Sequence, residues 1–226
     1  MPVVEELKRL VEKLTGIGRP ARRSVGRLAR PLTPQQVRLR DDGETPNNRL
    51  PVLVYRQALR LDETFDPAAV FEEIFAVNRW RGSWRNGIYD FLHFHTGTHE
   101  VLGIARGTVT VELGGRRGRR LSLAAGDVVV LPAGTGHRRL RASDDLLVVG
   151  AYPAAGRYDE PRPDEVDHDD ARIAIARVRL PRRDPVYGAD GPLTALWGKP
   201  AARRRKASKA RRAKARLVRR ARAERA

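Results

Sequence analysis

No cysteine occurs among the 226 residues, which removes disulfides, thiolate metal sites and thiol nucleophiles together. Any chemistry must use His, Asp, Glu, Ser, Tyr, Lys or Arg. Long apolar runs are also missing: none approaches the roughly 18 residues of a membrane span, which predicts a soluble chain without a membrane partner. The opening MPVVEELKRLVEK carries acids and no uninterrupted apolar stretch, so a secretory leader is not expected and a cytoplasmic location is. Aromatics are scarce at 6%, yet hydrophobic residues make up 41%, enough for one globular domain with charged appendages.

The formal net charge of +18 is unevenly spread. From Pro200 onward there are thirteen Lys or Arg and the single acid Glu224, and residues 1–33 hold eight bases against three acids. The remaining middle is close to neutral. Three regions follow: an N-terminal helix and basic linker over 1–33, a globular domain over 34–199, and an Arg/Lys-rich tail over 200–226. The tail has only Leu217 and Val218 as large apolar residues, so it is expected to be mobile, either as a solvated charge run or as a salt-sensitive contact to nucleic acid or another polyanion. It has no aromatic residue for base stacking.

Near the start, Val3, Leu7, Leu10, Val11 and Leu14 recur at helical spacing, with Gly16 just past the end. A second helix is predicted from Pro67 to about Asn78 behind an Asp66 N-cap. Between Gly87 and Tyr152 short β-type runs alternate with turn residues: IYDFLHFH, EVLGIA, TVTVEL, RLSL, DVVVLP and LLVVGAY. That pattern predicts an antiparallel barrel or sandwich. RIAIARVRL (172–180) reads as one more strand, and DPVYGADGPLTALW as a wrap anchored by Trp197.

Four of the five histidines fall between 93 and 137. His93 and His95 are two apart in a β-type run, which places both imidazoles on one face. Glu100 follows five residues later, and His137 lies beyond the turn that ends DVVVLP. Three imidazoles and a carboxylate inside a barrel make a mixed N/O site suited to one divalent ion of Fe, Mn, Ni, Cu, Zn or Co. His99, next to Glu100, is expected to face the other way and to support the ligands rather than join them.

These residues resemble the cupin superfamily. Its first motif, G-x5-H-x-H-x4-E-x6-G, is matched by Gly87, His93, His95, Glu100 and Gly107, and its second, G-x5-P-x-G-x2-H-x3-N, by Gly126, Pro132, Gly134 and His137. Arg141 replaces the final Asn. A closer resemblance, to the bacterial YjlB-type single-domain cupins, extends over roughly 35–199 through PNNRLPVLVYR, WRNGIYDF, HFHTGTHEVLGIARG, GDVVVLPAGTGHR and the late DPVYGADGPLTALW. It implies an all-β-dominated double-stranded β-helix, a jelly-roll barrel with a few flanking helices. It also implies a lumenal metal on His93, His95, Glu100 and His137, and a homodimer is common in the superfamily.

By strand parity Tyr89 and Phe91 share the face of His93 and His95 and are candidates for the substrate pocket. Arg139 and Arg141 follow His137, and if turned inward would hold a carboxylate or phosphate. Two functions stand. One is a metal-dependent enzyme on a small molecule, anionic or neutral, of oxygenase or isomerase type, with Glu100 released to move protons. The other is a non-catalytic small-molecule binding barrel whose tail contacts a polyanion.

Overall fold

The computed structural model describes residues 2–198; the predicted tail over 200–226 lies outside the described residues. Among the described residues nine strands are formed: β1 (Gln35–Val37), β2 (Val52–Tyr55), β3 (Trp80–Asn86), β4 (Glu100–Arg106), β5 (Thr108–Leu113), β6 (Arg119–Ala124), β7 (Val128–Leu131), β8 (His137–Ala142) and β9 (Leu147–Pro153). They make two antiparallel sheets, one in the order β1-β2-β7-β4-β9-β3 and one in the order β6-β5-β8. Four α-helices flank them: α1 (Pro2–Thr15), α2 (Pro67–Val77), α3 (His168–Arg177) and α4 (Pro192–Trp197).

The larger sheet is covered on both faces, which is why its central strands are apolar throughout instead of alternating. One face of β4, β7 and β9 contributes Val101, Val130 and Val149 to a core shared with Phe71 and Phe75 of α2. The other contributes Leu102, Val129 and Val148, which meet Val109 and Val111 of the smaller sheet to fill one part of the barrel. Gly103 allows α2 to come close: a Cβ there would lie 2.2 Å from the Phe71 ring. Asp66 caps α2 by accepting from the Ala69 N–H, as the sequence predicts.

Two expected strands differ. RIAIARVRL lies mostly in α3, because Asp167 caps the Asp170 N–H, Asp169 and Asp170 sit in the positive first turn, and Ala171 and Ile175 bury at helical spacing. IYDFLHFH joins no ladder; it crosses the barrel mouth and meets β8 through the His93–His137 bridge and one backbone bond from Arg139 to Tyr89. Phe94 N–H donates to the Pro161 carbonyl, so loop 161 replaces a strand as its partner.

Two polar knots hold the outer segments. Arg85 on β3, its side chain 2% exposed, pairs with Glu12 at 2.7 Å, Asp66 at 2.8 Å and Glu72 at 3.1 Å, fastening α1 and α2 to the sheet. Asp184, fully buried, accepts from the N–H groups of Val186, Tyr187 and Leu193 and, at 2.5 Å, from the Tyr55 hydroxyl. Trp197 completes this wrap, its Nε1–H donating to the Pro51 carbonyl.

Removing the Tyr55 hydroxyl leaves a buried carboxylate one donor short. Tyr55→Phe is therefore expected to lower unfolding stability by about 1.5–3 kcal/mol, read from urea denaturation. A change within error would show that the three amides alone satisfy Asp184.

Candidate metal centre

The crossing segment 89–95 is zipped against β8 by backbone bonds: His93 and His137 exchange N–H and carbonyl at 3.3 and 2.9 Å, and Arg139 N–H donates to the Tyr89 carbonyl at 2.7 Å. This brings His93, His95 and His137 together with side chains turned to one lumen. Phe94 between them faces the opposite way, into a separate cluster with Ala133, Ala171 and Ile175, so the two-residue alternation holds even without a ladder. Each of the three histidines offers a ligand nitrogen, and these nitrogens lie within 4.8 Å of one another.

Their orientation is set from behind. The Nδ1 of His93 meets the Phe91 carbonyl at 3.2 Å, that of His137 meets the Thr135 carbonyl at 3.0 Å, and that of His95 meets the Asp159 carbonyl. A carbonyl can only accept, so each Nδ1 carries the hydrogen and each Nε2 is left with its lone pair or an added proton. Glu100, from the start of β4, completes the group. Its Oε2 lies 3.1 Å from His95 Nε2 and 3.3 Å from His137 Nε2.

Electrostatics follow from burial. Desolvation pushes His93 down to about 3, with His137 and His95 adding to the effect. Burial works against charge at His95 too, but the Glu100 carboxylate outweighs it and His95 is pushed up to about 9. Burial likewise opposes the Glu100 charge, yet the His95 imidazolium beside it holds its carboxyl well below the usual range. Without a metal, then, neutral pH leaves a proton on His95 facing an ionised Glu100, and a cation entering the cluster replaces that proton. The donor set of neutral imidazole nitrogens and a carboxylate oxygen fits a divalent transition ion.

A cavity of about 240 Å³ opens above these side chains. Trp84, Ile88, Tyr89, Tyr152, Tyr158 and Glu160 form its walls. Trp84 lies flat over Gly150, where a Cβ would be 2.1 Å from the indole, and its Nε1–H donates to the Tyr152 hydroxyl at 2.9 Å. The Tyr158 hydroxyl donates to Glu160. Burial pushes the hydroxyls of both Tyr152 and Tyr158 above the usual phenol range.

The other sequence candidates are placed as follows. Tyr89 lines the mouth and is partly exposed. Phe91 lies behind it, stacked on Tyr89 at 4.6 Å, with the Arg162 guanidinium 4.2 Å above its ring; it supports the wall and is not among the lining residues. Arg139 leans to the rim near Asp90, at 3.8 Å, and Arg141 is exposed. Neither lines the cavity, and β8 shifts register between Arg139, paired with Val111, and Arg141, paired with Thr110. Arg85 does line it, but its guanidinium is taken by Glu12, Asp66 and Glu72. His99 turns away, accepting the Ala133 N–H at Nδ1 and packing on Trp197, and burial pushes it down to about 4. Sequence reasoning missed Tyr152, Tyr158 and Glu160, which carry no spacing signal.

No helix among the described residues is long and apolar enough to cross a membrane. No family model matches the chain. Among solved structures, a Bacillus subtilis oxalate decarboxylase variant aligns at 20% identity and a TM-score of 0.32, over 53% of this chain and 29% of that one. Acireductone dioxygenase from Bacillus anthracis, with cadmium in its active centre, aligns at 18% identity and a TM-score of 0.33, over 46% of this chain and 80% of that one. The chain thus spans under a third of the decarboxylase's length. A protein of Bacillus subtilis (strain 168) described as uncharacterized protein YjlB is 35% identical over 160 residues, covering 70% of this chain and 93% of that protein. At that identity, over nearly the full length of the Bacillus protein and on a barrel of two antiparallel sheets, the chain belongs to the YjlB-type cupins.

Proposed function

We propose that the chain is a metal-dependent enzyme acting on a small molecule within the 240 Å³ cavity, with one divalent ion held by His93, His95, Glu100 and His137. The observation that carries this reading is the common orientation of the three imidazoles: every Nδ1 is tied to a backbone carbonyl, and the Nε2 atoms of His95 and His137 converge on one Glu100 oxygen. A buried core histidine needs no such concert. When bound, the ion would supply Lewis acidity and, if redox-active, a site where substrate and dioxygen meet, which suits isomerase or oxygenase chemistry.

The chain's own residues divide the remaining work. Trp84, Ile88 and Tyr152 exclude bulk water from the lumen and give the substrate an apolar wall. Tyr158 and Glu160 supply the acid-base pair that separates an enzyme from a binding barrel: a proton accepted at the Tyr158 hydroxyl can pass along its hydrogen bond to Glu160. Glu100 then remains a ligand, its carboxylate supplying the one oxygen donor beside the three imidazole nitrogens. With Arg139 and Arg141 outside the cavity and Arg85 neutralised, an arginine clamp for an anion has no support. A substrate oxygen directed at the metal, as in a hydroxy-carbonyl compound, replaces it.

Two outcomes test this. His95→Ala and His137→Ala, purified alongside the parent without chelator, are expected to lose about tenfold or more of metal affinity, whereas His99→Ala keeps its metal. Undiminished metal in both of the first two variants would refute the site.

Cobalt-loaded protein should show a visible spectrum that azide or a small hydroxy-acid perturbs, because four protein ligands leave coordination open. Tyr158→Phe and Glu160→Gln should keep that response while lowering turnover, read as dioxygen uptake or isomer formation across hydroxy-carbonyl compounds, by about 10²–10⁴-fold. A spectrum that no small ligand alters would leave the non-catalytic barrel as the better reading.

A further inference from the structure

Helix α1 sits on the body with its polar side inward. Glu12 is buried against Arg85, Glu5 reaches Arg106 at 2.6 Å, Lys8 reaches Asp66 at 3.0 Å and Arg9 reaches Glu72 at 3.0 Å. The apolar side faces out. Val3, Leu7, Leu10 and Leu14, continued by Ile17 just past the helix, alternate spacings of four and three, the seam pattern of a coiled coil. Val4 and Val11 widen one edge of that seam. All seven side chains are between 48% and 76% exposed. Together they form one contiguous exposed apolar face along the helix, the kind of patch that marks an interaction surface, unlike apolar residues exposed singly.

We propose that this face is a homodimer interface, in which the α1 helices of two copies pack antiparallel across a two-fold axis. Seam residues then meet in pairs, Leu7 against Leu10 of the partner subunit and Val3 against Leu14 of the partner subunit. The flanks decide the occupant and the direction. On one side of the seam stand Glu6 and Lys13, both exposed; on the other stand Val4 and Val11. In an antiparallel two-fold pair, Glu6 faces Lys13 of the partner subunit, twice per dimer, and Val4 faces Val11 of the partner subunit. A parallel pair would set Glu6 beside valine, satisfying neither flank. The face is therefore complementary to itself in one arrangement.

Alternative coverings fit less well. Residues 199–226 carry only Leu217 and Val218 as large apolar side chains, too few for a face of seven. A free helix of this length is marginal in water, but the ion pairs to Arg85, Arg106, Asp66 and Glu72 hold α1 in place, so its ordering cost is met within each protomer before association. Beside the seam, a groove lined by Val11, Ile17, Leu61 and Phe65 extends the apolar surface onto the body.

Sedimentation equilibrium of the full-length wild-type chain at micromolar concentration is expected to give twice the 25.3 kDa chain mass. Leu7→Glu and Leu10→Glu, both at exposed positions, should each shift the mass to that of the monomer while metal content stays unchanged. Glu6→Lys should weaken the dimer about tenfold by replacing two attractions with repulsions, and adding Lys13→Glu should restore it. A wild-type chain that stays monomeric at about 100 μM, in the concentration range where a weak interface would still associate, would overturn the proposal, as would a dimer that survives both leucine variants. Failure of the double exchange to recover what Glu6→Lys loses would overturn the antiparallel arrangement. Monomeric protein that floats with anionic phospholipid vesicles would assign the face to a lipid surface instead.

Discussion

A carboxylate buried in the lumen of a β-barrel must be either neutral or matched by positive charge, and Glu100 is matched. Its Oε2 stands between two imidazoles, and the proton on His95 makes the group electrically tolerable when no cation is present. Much else in the structure serves this arrangement. The Asp159, Phe91 and Thr135 carbonyls orient the rings. Pairing of Glu100 with Leu131 on β7 fixes where the carboxylate enters the lumen. The bridge between His93 and His137 closes the mouth where no ladder continues.

The rest of the chain keeps that lumen dry and its walls in place. Because both faces of the large sheet are covered, β4 can bury Val101 under α2 while Leu102 faces the barrel and Glu100 the site. Gly150 yields its side-chain space to Trp84, and Trp84 in turn fixes the Tyr152 hydroxyl. Charges that would otherwise compete for the cavity are consumed nearby: Arg85 serves the junction of α1, α2 and β3 instead of presenting a cation to a ligand. A cavity with largely aromatic walls, whose polar groups are the histidine–glutamate cluster, Tyr158–Glu160, Asn86 and the already paired Arg85, follows from this division.

Legibility in the sequence tracked how local each determinant is. Strands β4 to β7 and β9 could be read because β-branched residues alternate with turn residues over short spans, whereas β8 could not, since its HRRLRA carries three arginines and no apolar alternation. The candidate ligands could be read because His93, His95, Glu100 and His137 sit at fixed offsets from Gly87, Gly126 and Pro132. Strand β2 was passed over: Val52–Tyr55 is buried on both faces and shows no alternation. Strand β3 was missed because its edge position admits polar residues. RIAIARVRL alternates as a strand would, but the Asp167 cap and the burial of Ala171 and Ile175 make it helical. Tyr158 and Glu160 reach the cavity through a loop about sixty residues downstream of the first motif, and no spacing rule connects them to it. Arg139 and Arg141 are candidates only for following His137, and nothing local in the sequence tells which way their side chains turn; neither lines the cavity.

The central claim is that three imidazoles and one carboxylate share a single ion. X-ray absorption at the edge of the metal that copurifies with the full-length chain tests it most directly, because it counts the scatterers around the ion. The account predicts three imidazole nitrogens and carboxylate oxygen at about 2.0–2.2 Å, as expected for a zinc-like divalent ion, with at least one further oxygen from exchangeable water. A shell without imidazole scattering, or purified protein that takes up no stoichiometric metal under any loading, would contradict it.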